Sequence, residues 1–320
     1  MSLTARDGAA ASGIATAAAW WFPSVSVRRV TMLRLIAYSF IVVDVVALTR
    51  WVGRDVDTPG MYQPRQVAEL LHLPTPTVAL VAGLRVAVLL TAGVALATSC
   101  STRRVLPRLA GVASFATYSW WMLVAMSYGK VDHDRFAFLV LLAVLPTVAT
   151  AAWSDRTPSR GAGWAVRVTS VAAVATYFLA GWAKIRIGGW GWVNSGTLAW
   201  AIVRRPTTIG TALLSFPWLL HVFQWLTVLG ELASPLIFVI RSQSRQLVVV
   251  AAFYAFHVIT FGVLGLLFLP HLVALAAFLP LENLPGQLRA ARWGSHPNRR
   301  NAPVSSRRSN MSHEDSANPA

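Results

Sequence analysis

Charge is what this sequence has least of. Charged residues make up 12% of its 320 positions, against roughly 25% in an ordinary soluble domain. Charge this sparse, with apolar runs along nearly the whole chain, argues against a soluble globular protein and for a polytopic membrane protein. Cysteine is almost absent too. The single Cys100 excludes a disulfide framework, a CxxC redox pair and any cysteine-based metal spacing. Acidic residues are few, 12 against 28 Lys and Arg, for a net charge of +16. That excess does not point to nucleic acid, because the cations fall in short clusters between apolar runs, as topology charges do. No internal repeat is evident. Residues 1–27 are rich in Ala and Ser and carry Trp20 and Trp21. They are too short and too interrupted an apolar patch for a cleavable signal peptide, with Arg6 the only cation before it.

Apolar residues make up 55% of the chain, mean hydropathy is +0.54 and Trp is abundant at 14. Several tryptophans sit where apolar runs end, as an aromatic belt requires. The pattern predicts an all-α polytopic helix bundle of eight hydrophobic spans. They run about Val30–Leu48, Thr77–Thr98, Leu109–Ser127, Phe136–Ala152, Val166–Lys184, Leu213–Ile240, Leu247–Val263 and Leu264–Pro280. The last two meet at Gly262–Gly265 and read equally well as one broken helical pair. Residues 1–29 are expected to be an interfacial or disordered N-terminal segment, 30–285 the transmembrane domain, and 286–320 a disordered basic tail.

Orientation follows the Lys and Arg clusters. Arg28 and Arg29, then Arg103, Arg104 and Arg108, then Arg156, Arg160 and Arg167, then Arg241 and Arg245, share one side with the tail. That side is assigned to the cytoplasm, with both termini, in a cell membrane. The stretch after Lys184 breaks the bias with Arg186, Arg204 and Arg205. It is aromatic and longer than a turn, and reads as a re-entrant or interfacial segment over the outer side of the bundle.

Charges inside the spans come next, since each costs about a few kcal/mol unless paired or wet. They are Arg34, Asp44, Arg85 and Glu231. Their charges sum to zero, which suits interhelical ion pairs and equally suits the lining of a polar cavity. Glu231 lies between Gly230 and Pro235, where a helix loosens. Three further residues stand out. His133, in Lys130-Val-Asp-His-Asp-Arg135, sits between two carboxylates; a solvated loop with an Asp helix cap, a metal site with too few ligands, and an acid/base role all remain open there. His257 lies mid-span and is either a satisfied core histidine or a site residue. His271, after Pro270, reads as a cap of a short helix or as facing a neighbour. Lys184 closes the span from Val166 and precedes a Gly- and Trp-rich stretch with Trp190 and Trp192. It is either an interfacial anchor or, stripped of water, a working base.

Tyr177-Phe-Leu-Ala-Gly-Trp-Ala-Lys184 followed by Trp190 or Trp192 resembles a motif of the HTTM (horizontally transferred transmembrane) domain, which is shared with the membrane part of vitamin K-dependent gamma-carboxylase. Two further segments are similar in the same order: Lys130-Val-Asp-His133 before an apolar run, and His257 followed by Phe261 to His271. The resemblance covers roughly residues 30–285. It implies that Lys184 is the base that deprotonates a reduced quinone such as vitamin K, that His133 assists, and that His257 lines the site. It further implies a site on the outer side. The reading of the residues themselves expects Glu231, Arg85, Arg34, Asp44, Trp190 and Trp192 to line the cavity there. Ala183 stands where the carboxylase has a second lysine, and the carboxylase's large lumenal domain has no counterpart in this chain. Glutamate carboxylation is therefore not the expectation. The expected partners are the lipid bilayer and a quinol-like molecule or a secreted peptide. The alternative is a non-enzymatic membrane factor for the maturation or export of such a peptide.

Overall fold

A computed structural model describes residues 16–103, 105–129 and 131–284. The terminal stretches expected to be interfacial or disordered lie largely outside these residues, as does Lys130. Residues to Glu282 form one compact unit. It is an all-α polytopic bundle, with one two-residue strand pair among the described residues, Val25–Ser26 against Pro158–Ser159.

Among the described residues six helices are long and apolar enough to cross a membrane. We label the principal helices in chain order: α1 Val27–Val43, α2 Val78–Ala97, α3 Val105–Met126, α4 Phe136–Val144, α5 Arg160–Gly188, α6 Pro217–Ala233, α7 Gln243–Leu264 and α8 Leu269–Leu275. The eight expected spans thus resolve into six long helices and two short ones, α4 and α8. Pro146 ends the first, since a proline removes a backbone donor and crowds the preceding turn. The second starts late because Gly265 closes α7 in the left-handed conformation, φ 64°, which a glycine adopts without penalty.

The region of α4 nonetheless runs the depth of α1. At one end Arg135 meets Asp44, midway Arg34 meets the carbonyls of residues 145–149, and at the other end Ser26 pairs with Pro158. Arg34 explains how a broken helix survives at that depth. Its guanidinium donates to the carbonyl oxygens of Leu145 (2.8 Å), Val148 (2.5 Å) and Ala149 (3.3 Å). A helix end leaves such carbonyls short of partners that lipid cannot supply; that of Leu145 also accepts from the Val148 N–H at 3.3 Å. The region of α8 descends in the same way to Glu282, which is held by Arg29 at 2.5 and 2.7 Å.

The expectation that Arg34, Asp44 and Arg85 line a cavity is corrected here. Arg34 closes a helix end. Asp44 begins a single π-helical turn, Asp44–Leu48, and is fully buried. Its Oδ2 accepts from Arg135 (2.8 Å) and from the Tyr118 hydroxyl (3.0 Å), and Arg135 also donates to Tyr118 (2.8 Å). Arg85 lies half-buried on α2, a helix that contributes nothing to the main cavity described below. The first two charges are used up in joining elements that lie far apart in sequence.

Candidate functional site

The second half of the bundle encloses a cavity of about 630 Å³. Its walls come from α5, α6, α7 and α8, the turn before α4, and the segment after Lys184. Most of the lining is apolar, with a few polar groups, the usual make-up of a small-molecule site. Lys184, Glu231, His133, His257 and Trp192 all line it, although they lie on separate segments of the chain. Trp190 does not. It is exposed and stacks on Trp225 with ring centres 5.8 Å apart.

Two polar poles face this cavity. At the first, the Lys184 ammonium donates to both oxygens of Glu231 at 2.7 Å each, and it lies 5.3 Å from the Trp192 ring centre. The Glu231 side chain is 9% exposed and that of Lys184 22%, so Lys184 is neither lipid-facing nor freely solvated. Gly181 makes the pairing possible. A Cβ there would stand 2.9 Å from the Cβ of Glu231 and 3.2 Å from Leu232. Only a glycine lets α6 approach α5 this closely, and Gly181 is one turn before Lys184 on the same face. The Gly230-Glu231 stretch does not loosen α6. The helix continues to Ala233 and only then tightens into a 3-10 turn at Ser234–Phe238.

At the second pole, Tyr177 and His257 share a hydrogen bond of 2.6 Å between the phenol oxygen and Nε2. The His271 ring packs edge-on to Tyr177 at 4.7 Å and lies 5.4 Å from His257. His271 does not cap its helix. It faces these two neighbours, is 1% exposed, and neither ring nitrogen has a hydrogen-bond partner among the described residues. The Nδ1 of His257 is in the same position. Buried polar atoms are almost always paired; these ring nitrogens have almost no accessible surface, so they sit within the wall of the cavity although both residues line it. His133 lines the same cavity, with its ring 6.4 Å from that of Phe268. Among the described residues no group of three or more His, Cys, Asp or Glu side chains is placed to hold a metal.

The roof of the cavity is the stretch after Lys184. It folds as three short helices, Gly191–Asn194, Thr197–Arg204 and Thr208–Leu213, which gives the aromatic interfacial segment a definite form. Gln224 of α6 pins it. Its amide nitrogen donates to the carbonyls of Trp192 (3.1 Å), Val193 (3.0 Å) and Ser195 (2.9 Å), and its oxygen accepts from the Leu198 N–H (3.0 Å). Thr207 pins the other end, donating to the Gly262 carbonyl at 2.7 Å and accepting from the Gly210 N–H at 2.9 Å. Sequence reasoning passed over Gln224, yet a lone amide in an apolar span was the available signal. In the sequence Tyr177 stands out only as part of a motif. Its role depends on a partner 80 residues away, which no local pattern reveals.

Compared with protein-family models, curated proteins and solved structures, the chain matches none of them.

Proposed function

We propose that this protein is a membrane enzyme that performs proton transfer on a lipophilic hydroxyl-bearing molecule of the hydroquinone class. One observation carries the reading. Lys184, Glu231, His133 and His257, from separate segments, face a single largely apolar cavity. The HTTM-type resemblance of the Tyr177–Lys184 motif supports the same assignment. In this reading Lys184 and Glu231 work as one acid/base unit. A hydroquinone O–H bond breaks, its proton passes to the Lys184–Glu231 pair, and the oxyanion stays beside the positively charged partner. The Lys184 ammonium, 2.7 Å from both Glu231 oxygens, is the positive charge that the oxyanion lies against. The Tyr177–His257 pair and the His271 ring form the other wall, against which the far side of the ring packs. The cations around the Val25–Ser159 end support a cytoplasmic placement for that end, which puts the cavity toward the outer face.

The test uses the purified chain, anaerobically loaded with a reduced naphthoquinone carrying a short isoprenoid tail. Binding is measured first, then the rate, above that without protein, at which admitted oxygen takes two electrons and two protons from the hydroquinone to give the quinone and hydrogen peroxide. Wild type is expected to bind and turn over the compound. Lys184→Ala is expected to lose about 100-fold or more in rate, with Lys184→Arg as a folded control that keeps the ion pair. A folded wild type that neither binds nor turns over the compound, or Lys184→Ala at the wild-type rate, overturns the reading.

A second reading, a non-enzymatic factor for the maturation or export of a secreted peptide, is favoured by one feature. Lys184 is tied by both oxygens of Glu231, the geometry of a structural pair. It predicts that a Lys184→Met/Glu231→Leu double variant, neutral and apolar, still supports export of the peptide. It also predicts that loss of the Gln224-held roof abolishes that export.

A further inference from the structure

Between Lys184 and Glu231 the sequence contains no acidic residue, yet it carries Arg186, Arg204 and Arg205. Arg204 and Arg205 lie beside the roof of the main cavity, in a second cavity of about 530 Å³. Trp200 forms another wall, and Leu264 and Leu266, at and just after the end of α7, form the apolar side. Thr197, Ala201 and Leu264 line both cavities, so the two adjoin through a thin partition. The platform is rigid. The Arg205 N–H donates to the Ala201 and Ile202 carbonyls at 3.1 Å each, and Thr207, two residues on, is bonded to α7. A favourable helix-end position accounts for one cation in the last turn. It does not account for two adjacent arginines turned into a cavity with an exposed tryptophan, on the side where topology disfavours cations.

The main cavity is also open on its flank. Leu226 of α6 and Ile259 of α7 both line it, yet they are 60% and 55% exposed. Both belong to helices long and apolar enough to span a bilayer, so the medium they face is lipid. An apolar cleft between α6 and α7 therefore runs from the bilayer toward the arginine cavity at the end of α7.

We infer that Arg204 and Arg205, with Trp200, bind the phosphate headgroup of an anionic membrane lipid whose hydrocarbon chain lies in the cleft between α6 and α7. Guanidinium forks match phosphate oxygens two at a time. An anionic headgroup supplies the negative charge that this stretch of chain lacks, and Trp200 sits as an interfacial anchor beside it. The assignment requires the cleft but not the proton-transfer chemistry proposed for Lys184.

The experiment is native mass spectrometry of the full chain in detergent, titrated with phosphatidylglycerol or phosphatidylcholine of matched chains. Inorganic phosphate serves as the competing free anion. Phosphatidylglycerol is expected to be retained preferentially. An R204Q/R205Q variant is expected to bind it about tenfold or more weakly, as the loss of charge-assisted contacts implies, while R204K/R205K recovers part of the preference. Lys184→Ala is expected to keep the lipid, and R204Q/R205Q to keep naphthoquinone binding, so the two proposals fail separately. Equal retention of the two lipids overturns the inference. So does undiminished phosphatidylglycerol binding by folded R204Q/R205Q, and so does displacement by inorganic phosphate at comparable concentration, which would mean a free-anion site. If R204Q/R205Q proves unfolded, Trp200→Ala takes its place and is expected to weaken phosphatidylglycerol without weakening phosphatidylcholine.

Discussion

The two halves of the bundle treat buried charge differently. In the first half, Arg34 and Asp44 are spent on architecture, one closing a broken helix and the other tying α1 to the start of α4 and to α3. In the second half, polar groups border an open space. Lys184 and Glu231 pair on its wall, and His257 and His271 keep unpartnered nitrogens. An intramembrane charge is costly wherever it sits. Whether its partner is protein alone or protein plus a cavity separates a scaffold from a site.

Breaking the scaffold half should do the most damage. Asp44→Ala leaves Arg135 buried beside Tyr118 with only the longer contact to Asp132, at 3.8 Å, and losing one partner of a buried pair costs about 3–5 kcal/mol. We expect loss of monodisperse protein on size exclusion, or a large fall in Tm; near wild-type stability would show that the pair is dispensable. Next comes the clamp over the cavity. Gln224→Leu strands the Leu198 N–H and three carbonyls, at about 1–3 kcal/mol for a buried group left unsatisfied. Hydrogen exchange should then accelerate across 192–200 while α1 to α4 stay protected. If protection is lost evenly in both halves, the contrast between them is wrong.

The Lys184–Glu231 pair should matter less for folding than the Asp44 pair, because its ammonium is partly accessible. A double-mutant cycle with Lys184→Met and Glu231→Gln is expected to give a coupling of about 1 kcal/mol. A coupling as large as that of Asp44 with Arg135 would make it one more structural tie. The smallest effect is expected at Glu282. Burial works against its charge, but Arg29 bonds both its oxygens and outweighs that, holding the carboxyl below its ordinary range. A lowered carboxyl stabilises the folded state above the ordinary carboxylate range, about 4.3, and the gain fades as pH falls through the lowered value. The Tm difference between wild type and Glu282→Gln, worth under about 1 kcal/mol, should be present at neutral pH and vanish in acid.

Some of this was legible from residues alone. The apolar runs located the long helices. The isolation of Lys184, His257 and Glu231 in low-charge surroundings marked them as needing partners, since lipid offers none. Arg34, Asp44, Arg85 and Trp190 looked equally suited to a cavity, because an unpaired charge or an interfacial ring carries no sign of which neighbour it will meet. The two short helices also look like full spans in the sequence. Hydropathy counts apolar residues and does not register that Pro146 or Gly265 ends a helix whose backbone is then satisfied from elsewhere.

The chain's composition and hydrophobic period determined that it is a helical membrane bundle, because apolar surface and backbone polar groups have few stable arrangements in lipid. Which charges hold that bundle together and which face its cavity was decided only by tertiary structure. Asp44 finds Arg135 across 91 positions and Lys184 finds Glu231 across 47. Such meetings depend on helix packing, and at Gly181 on the absence of a single methyl group.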